Sequence, residues 1–449
     1  MVREKKGWSM AGAEWLRLCL VPTLFLLARP TQAGQLAVDL EAEAGVRNDG
    51  DFAERTAATG PTVPARPQSF WRGGINLNLS YLLRDWQLAM TYSPYYEAGF
   101  GGGANNAAHN NGSANGDMAG LTHRLDIGLT GELSPRSTFH LSERLLSSPI
   151  LDLFAPTLGD TVVTAREGRQ TSQDSDAELA WTASRRTSVF VGANQFLRSF
   201  ADPQLIDSRG VGGDTGLRFA VGPETGIEVK LGADEYDFGL GRKATVALAT
   251  TSYSHLFARG SAVRVELGGF SVSAEAAATQ RSLRSDGLEA TLDVSRQRQR
   301  FRYDASFRHG IAPGVGVGRP VVLDNLVLGV STVGRQITVG LSGSAARSQD
   351  FENAVDVGGS GGSGSLAVNP GRRLVDFVAG TLDVSWSFSQ GGRLHGGYSR
   401  IWQSSQVAAF DTIAYNRYFL GLALAVYRTG GKPSSPAEQG GSNVQPHTP

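Results

Sequence analysis

Opposite charges recur two residues apart along this chain. Arg124 with Asp126, Glu228 with Lys230, Arg264 with Glu266 and Arg302 with Asp304 each fall on one side of an extended segment. Groups so placed can brace one another along a wet wall, or they can hydrogen-bond a polar, hydroxyl-rich solute. Catalysis is a poorer use of what the chain carries. His140 and Ser142 share a strand face, but at a rise of 3.4 Å per residue they stand about 7 Å apart, too far for a direct hydrogen bond. The other histidines, His109, His123, His255, His309, His395 and His447, are scattered. The GVGVGR stretch at Gly314–Arg319 lacks both the Lys-Ser/Thr pair and the following helix of a phosphate loop. No spacing of His, Asp or Glu asks for a metal, and nothing asks for a cofactor. The expectation is a protein that is not an enzyme.

The elements that must position these charges are strands. In INLNLSYLLRDWQLAMTY, Ile75, Leu77, Leu79 and Tyr81 alternate with polar residues. After Arg84-Asp85 the rhythm resumes with Trp86, Leu88, Met90 and Tyr92. Similar runs of period two continue to the last one at Asn416–Tyr427, about eighteen in all. Short breaks such as Ser134-Pro135-Arg136, Gly222-Pro223-Glu224 and Ser389-Gln390-Gly391-Gly392 join them in pairs. Longer polar segments, Gly99–Gly120, Ser147–Ser175, Ala274–Gly287 and Arg347–Arg373, join one pair to the next.

Strict alternation of short and long connections distinguishes a transmembrane barrel from a soluble sandwich. Two further signals agree with it. Several runs reach the ten or so residues that a tilted strand needs to cross a bilayer. Aromatic residues gather near run ends: Trp71, Trp86, Tyr92, Trp181, Tyr253, Trp386, Trp402, Tyr418 and Tyr427. In lipid every backbone polar group needs an internal partner, so the sheet must close on itself. The predicted fold is therefore all-β: a closed antiparallel transmembrane barrel of 16–18 strands with short periplasmic turns and long extracellular loops. Leu77, Leu79, Leu88 and Met90 are expected to face hydrocarbon, and Asn76, Asn78, Gln87 and Thr91 a wet lumen.

Composition and the termini fit the same picture. The 449 residues include 57 glycines, and 42 Lys+Arg balance 42 Asp+Glu to a formal charge of +0, which leaves no basic footprint for nucleic acid. Arg3, Lys5 and Lys6 precede the apolar run Leu16–Ala28 and a small-residue exit at Thr31-Gln32-Ala33. Residues 1–33 read as a secretory signal peptide, residues 34–428 as the barrel, and residues 429–449 as a disordered periplasmic tail. The one cysteine, Cys19, falls within the signal, and Leu18 before it argues against a lipoprotein. The expected location is a bacterial outer membrane.

The phase of the runs nominates the lumen face. Asp39, Glu41 and Glu43 lie on the first run, Arg124, Asp126 and Arg144 on the fourth and fifth, and Glu178 on the sixth. Arg218, Glu228, Lys230, Arg264 and Glu266 follow, then Glu289, Asp293, Arg302, Asp304 and Arg308, and finally Asp383. Phe190, Phe196 and Phe419 fall on the same face, where a ring could stack on a sugar. A barrel of this size leaves a channel rather than a filled core.

The closing segment HGGYSRIWQSSQVAAFDTIAYNRYFLGLALAVYR resembles the last hairpin of large exported barrels, a Y-S-R strand leading to Y-N-R-Y…L-x-L. The layout from Gln35 to Arg428 is similar to the barrels of polysaccharide secretion loci, the myxobacterial Wzp type. That resemblance implies a conduit for exopolysaccharide working with a periplasmic Wza-like exporter. A passive diffusion porin for small hydrophilic solutes is the alternative, and it predicts a folded-in constriction loop and steady ion conductance in a planar bilayer. A surface scaffold with a plugged lumen is a third reading. Outer-membrane lipid is a partner in every case.

Overall fold

The computed structural model describes residues 34–48, 68–83, 85–100, 119–148, 170–200, 206–239, 242–258, 260–275, 282–314, 319–332, 334, 336–350, 373–389, 391–405 and 413–428. The segments read as signal peptide and tail, and most of the longest connections, lie outside these residues.

The described residues form eighteen strands. They are β1 (Gly34–Asn48), β2 (Gln68–Leu83), β3 (Trp86–Phe100), β4 (Ala119–Ser134), β5 (Ser137–Ser148) and β6 (Gln170–Ser184). Then come β7 (Thr187–Phe200), β8 (Ser208–Gly222), β9 (Thr225–Asp237), β10 (Lys243–Phe257), β11 (Ser261–Glu275) and β12 (Ser282–Arg298). The last six are β13 (Phe301–Gly314), β14 (Arg319–Thr332), β15 (Ile337–Asp350), β16 (Arg373–Ser387), β17 (Gly392–Ser405) and β18 (Ile413–Arg428). Each strand pairs antiparallel with its neighbours in sequence, and β1 pairs with β18, from Ala37 opposite Arg428 to Asn48 opposite Asn416. The sheet is closed and has no edge running its full length.

One side of each strand is apolar and faces out. Leu231, Leu267, Leu288, Leu341 and Leu420 are more than half exposed, which in water would be a large unsatisfied surface and in hydrocarbon is the natural one. Two aromatic belts bound this surface. Trp181, Tyr253, Phe257, Phe301 and Trp386 stand near the short turns, and Trp71, Tyr96, Trp402 and Tyr418 near the long connections. Rings pair within each belt, Trp386 with Phe388 at 5.7 Å and Trp71 with Tyr96 at 5.4 Å between centroids. This is a membrane-spanning barrel of the bacterial outer membrane. Substituting Leu231→Arg, halfway along β9, should cost roughly 2–4 kcal/mol. A urea-unfolding series in detergent or lipid checks this, and an unchanged midpoint would mean that Leu231 does not meet hydrocarbon.

The strands are longer than the alternation suggests. β6 begins at Gln170 and β12 at Ser282, inside segments that read as loops. About 9–11 residues cross the bilayer, whereas β5 has 12 and β12 has 17. Above the lipid both faces of a strand meet water or protein, so the period of two fades where pairing does not.

One stretch leaves the wall. Pairing of β12 with β13 runs from Arg298 opposite Phe301 to Ala290 opposite His309 and stops there. β12 nevertheless continues to Ser282 and β13 to Gly314. β13 stays paired with β14, as far as Pro313 opposite Pro320 and Gly314 opposite Arg319. Two prolines face each other at this end, and neither can donate a ladder hydrogen bond. By phase Ile311 belongs to the outward row of Tyr303 and Phe307, yet it is only 6% exposed.

It packs against Tyr236, Phe238, Val246, Phe270 and Val272 of the inner face of β9–β11 and the residue just beyond β9. Ala312, Val321 and Leu323, on the other side of the hairpin end, pack with Val375 of β16 and against Phe200 of β7. The backbones of β14 and β10 come within 8 Å although three strands separate them in the wall. The upper end of the β13–β14 hairpin, still joined to β15 as far as Val321 opposite Asp350, therefore bends into the lumen and packs on the inner face of β9–β11 and against β7 and β16.

Candidate solute channel

The lumen wall is built from the inward rows of β6–β13 and of β1–β5 with β16–β18. On the first side a chain of ion pairs crosses the strands. Arg218 sets its two terminal nitrogens on the two carboxylate oxygens of Glu178, at 2.6 and 2.7 Å, and donates from Nε to Glu228 at 2.7 Å. Arg264 lies 3.7 Å from Glu228 and 3.1 Å from Glu266, and Lys230 lies 3.7 Å from Glu266. Register makes this chain: Arg218 is opposite Glu228, and Ser252 stands between Glu228 and Glu266. The bidentate pair fixes the planar guanidinium flat against the wall. It also lies over the Phe190 ring at 4.1 Å.

The other nominated residues fall into smaller groups. Asp126 joins Arg124 at 2.8 Å and Arg144 at 2.9 Å. Arg302 pairs with Asp304 at 2.9 Å, and Asp293 accepts from Ser306 at 2.6 Å. Glu43 takes Arg417, and His395 stands 3.4 Å from Glu41 and 3.8 Å from Glu43. Asp39 is opposite Asn76 in register. Asp383 lies over Gly397, where a Cβ would come within 2.9 Å of its carboxylate oxygen. Glu289 sits at the point where β13 departs. It is 6% exposed, has Arg308 at 3.5 Å and is packed on Gly310. A Cβ at Gly310 would stand 2.0 Å from its Oε2. Glu289 thus holds the first residues of the departing strand.

Phe190 does not offer a ring to a sugar. It is 1% exposed, pressed on Gly216 and covered by Arg218. Phe196 leans on Tyr236 at 5.7 Å, and Phe419 stands 6.2 Å from the His395 ring. Residue type and phase put these rings on the inner face, but each lies over a glycine opposite in register, Gly216, Gly210 and Gly397, and a neighbouring side chain occupies its surface.

Several wall residues escape a reading of the sequence. Arg198 is almost fully buried and bonds Asp174 at 2.8 Å and the carbonyls of Gln173 and Leu197. Asp174 lies in the stretch that reads as a loop. Asp234 accepts from Asn194 at 3.3 Å and fills the space over Gly212, where a Cβ would meet its carboxylate at 1.7 Å. The signal for such a niche is a glycine one strand away from an acid, and it is invisible until the register is known. The histidine of the pair weighed for catalysis has a structural contact instead: His140 bonds Thr130 at 2.9 Å, not Ser142. Among the described residues no group of three His, Cys, Asp or Glu is placed to hold a metal.

No family model matches the chain, and no curated protein matches it. Solved structures similar to it include OccK2 (OpdF) of Pseudomonas aeruginosa in complex with glucuronate, at 10% identity and TM-score 0.42, with 87% of this chain and 98% of that one covered. OccK9 (OpdG) of the same organism follows at 14% identity and TM-score 0.43, covering 88% and 98%. A BenF-like porin from Pseudomonas fluorescens Pf-5 has 10% identity and TM-score 0.42, covering 88% and 99%. At these identities and scores the likeness carries nothing over to the solutes of this chain. The resemblance of the layout from Gln35 to Arg428 to polysaccharide-export barrels finds no support among these matches.

Proposed function

We propose that the chain is a passive outer-membrane channel for small hydrophilic solutes. The observation that carries this reading is the end of the β13–β14 hairpin bent into the lumen and packed on both sides. A sliding polymer needs an open bore along its whole path. Moving this hairpin aside would expose Ile311, Val321 and Leu323, each worth about 1.5–3 kcal/mol of burial. A small solute needs only the space beside it. The nominated charges then serve as a polar lining whose members hold one another in place while solutes exchange hydrogen bonds with them. The barrel carries no energy source, so solutes move down their gradient.

Reconstitution of the purified chain in a planar bilayer tests the proposal. The expected result is steady ion conductance and permeation of small polar solutes but not of oligosaccharides, together with normal surface polymer in a strain lacking the gene. Loss of surface polysaccharide with periplasmic retention in that strain, restored by the intact gene, would overturn it in favour of an export conduit.

A further inference from the structure

The turn between β12 and β13 carries a run of positive charge with no acid to answer it. Residues 295–303 read SRQRQRFRY. Arg302 faces the lumen and pairs with Asp304 at 2.9 Å. Arg296, Arg298 and Arg300 are exposed, and none of the three forms an ion pair among the described residues. The arginines of the lumen differ in this respect: Arg218, Arg264 and Arg308 have carboxylates at 2.6, 3.1 and 3.5 Å. The row on which Arg296 and Arg298 stand fixes the side they face. They continue the outward row of Leu292 and Val294 toward the turn. Arg296 shares a rung with two outward rings, because Phe257 is opposite Ser261, Ser261 opposite Arg296, and Arg296 opposite Tyr303. Arg298 is opposite a third, Phe301, whose ring lies 6.2 Å from that of Tyr303. Two like charges two residues apart on one row stand about 7 Å from each other, and they repel unless an anion lies against them.

Belt rings mark the level of the lipid headgroups. The anion at that level, with apolar side chains such as Leu292 and Val294 directly above it, is a phosphodiester whose acyl chains run along the wall. From this placement we infer that the β12–β13 turn is a binding site for the headgroup of an anionic phospholipid. A guanidinium sets two parallel N–H donors on a phosphate. Arg296 and Arg298 offer such forks from one strand, and Arg300 adds a third positive charge at the turn. Phe257, Phe301 and Tyr303 give the glycerol and the first acyl carbons an amphipathic surface beside the phosphate. With three uncompensated cations the site favours a headgroup of net negative charge over a zwitterionic one, whose ammonium it repels.

Lipid retention by the purified chain in a neutral detergent tests this. Native mass spectrometry with added phosphatidylglycerol should show lipid adducts on the folded barrel, and roughly tenfold fewer with phosphatidylcholine. Arg296→Gln, Arg298→Gln and Arg300→Gln together should lower the phosphatidylglycerol adducts to the phosphatidylcholine level. These changes touch only exposed groups, and heat-modified migration checks that the variant is folded. Arg136→Gln, Arg185→Gln and Arg186→Gln together remove the same charge from the turns after β4 and β6 and should leave the adducts in place. A folded β12–β13 variant that keeps its adducts overturns the proposal. An equal loss in the comparison variant does so too, because net charge rather than this row would then hold the lipid. Equal retention of the two lipids by the unaltered chain would also overturn it. So would displacement of phosphatidylglycerol by millimolar inorganic phosphate, which would make this a site for free anions.

Discussion

Replacing residues 311–322 with an Asn-Gly turn should raise single-channel conductance roughly threefold, because a barrel of this strand number is wide unless something lies across it. Ile311, Ala312 and Val321 are nearly fully buried between the inner faces of β9–β11 on one side and β7 and β16 on the other. Removing them takes away the hairpin end and leaves the wall below His309, where β12 and β13 are paired, intact. The shortened barrel should still assemble and show heat-modified migration. It should also admit larger sugars in a liposome-swelling assay. An unchanged conductance in a folded variant would mean that the narrowest point lies elsewhere, and the reading of the hairpin as the constriction would be lost. Glu289→Ala tests the same segment more gently. Without the carboxylate that fills the space at Gly310, the hairpin should flicker, seen as increased current noise at an unchanged mean barrel stability.

Arg218→Ala should have the largest effect among the wall charges, in two separable ways. Arg218 is the common partner of Glu178 and Glu228, and its side chain is only 25% exposed. Deleting it leaves two carboxylates facing each other, with an expected loss on the order of 2 kcal/mol, below that of a fully buried pair because water reaches the lumen. Thermal unfolding followed by the migration shift should show it. The lumen also loses one positive charge, so the reversal potential in a salt gradient should move toward cation preference. Arg218→Lys should keep the selectivity and recover only part of the stability, since an ammonium cannot reproduce the two-point contact with Glu178. If Arg218→Ala left the reversal potential unmoved, this section of wall would not border the ion path.

Much of this architecture is written in local pattern. A strand with lipid on one side and water on the other must alternate, so the eighteen strands, the turns at Arg84-Asp85 or Ser134–Arg136, and the outward rows of Leu77, Leu88 and Leu231 follow from spacing alone. The same alternation places Arg218, Glu228 and Glu266 on one face. What it leaves undetermined is everything that depends on register across strands or on the far wall. Arg218 meets Glu178 forty residues away because β6, β7 and β8 align, not because of any spacing between them. Phe190 has the right phase for a stacking surface, and only its position under Arg218 and over Gly216 removes it from the lumen. Gln170–Ser175 and Ser282–Gly287 form strands although their pattern has faded, since pairing with a neighbour persists where lipid no longer imposes an apolar side. Ile311 shows the division most plainly. By period two it belongs to the outer surface with Phe307, and by tertiary structure it is inside, because β13 leaves β12 at His309 and finds Phe270 and Val272 on the inner face of β11, the next strand but one.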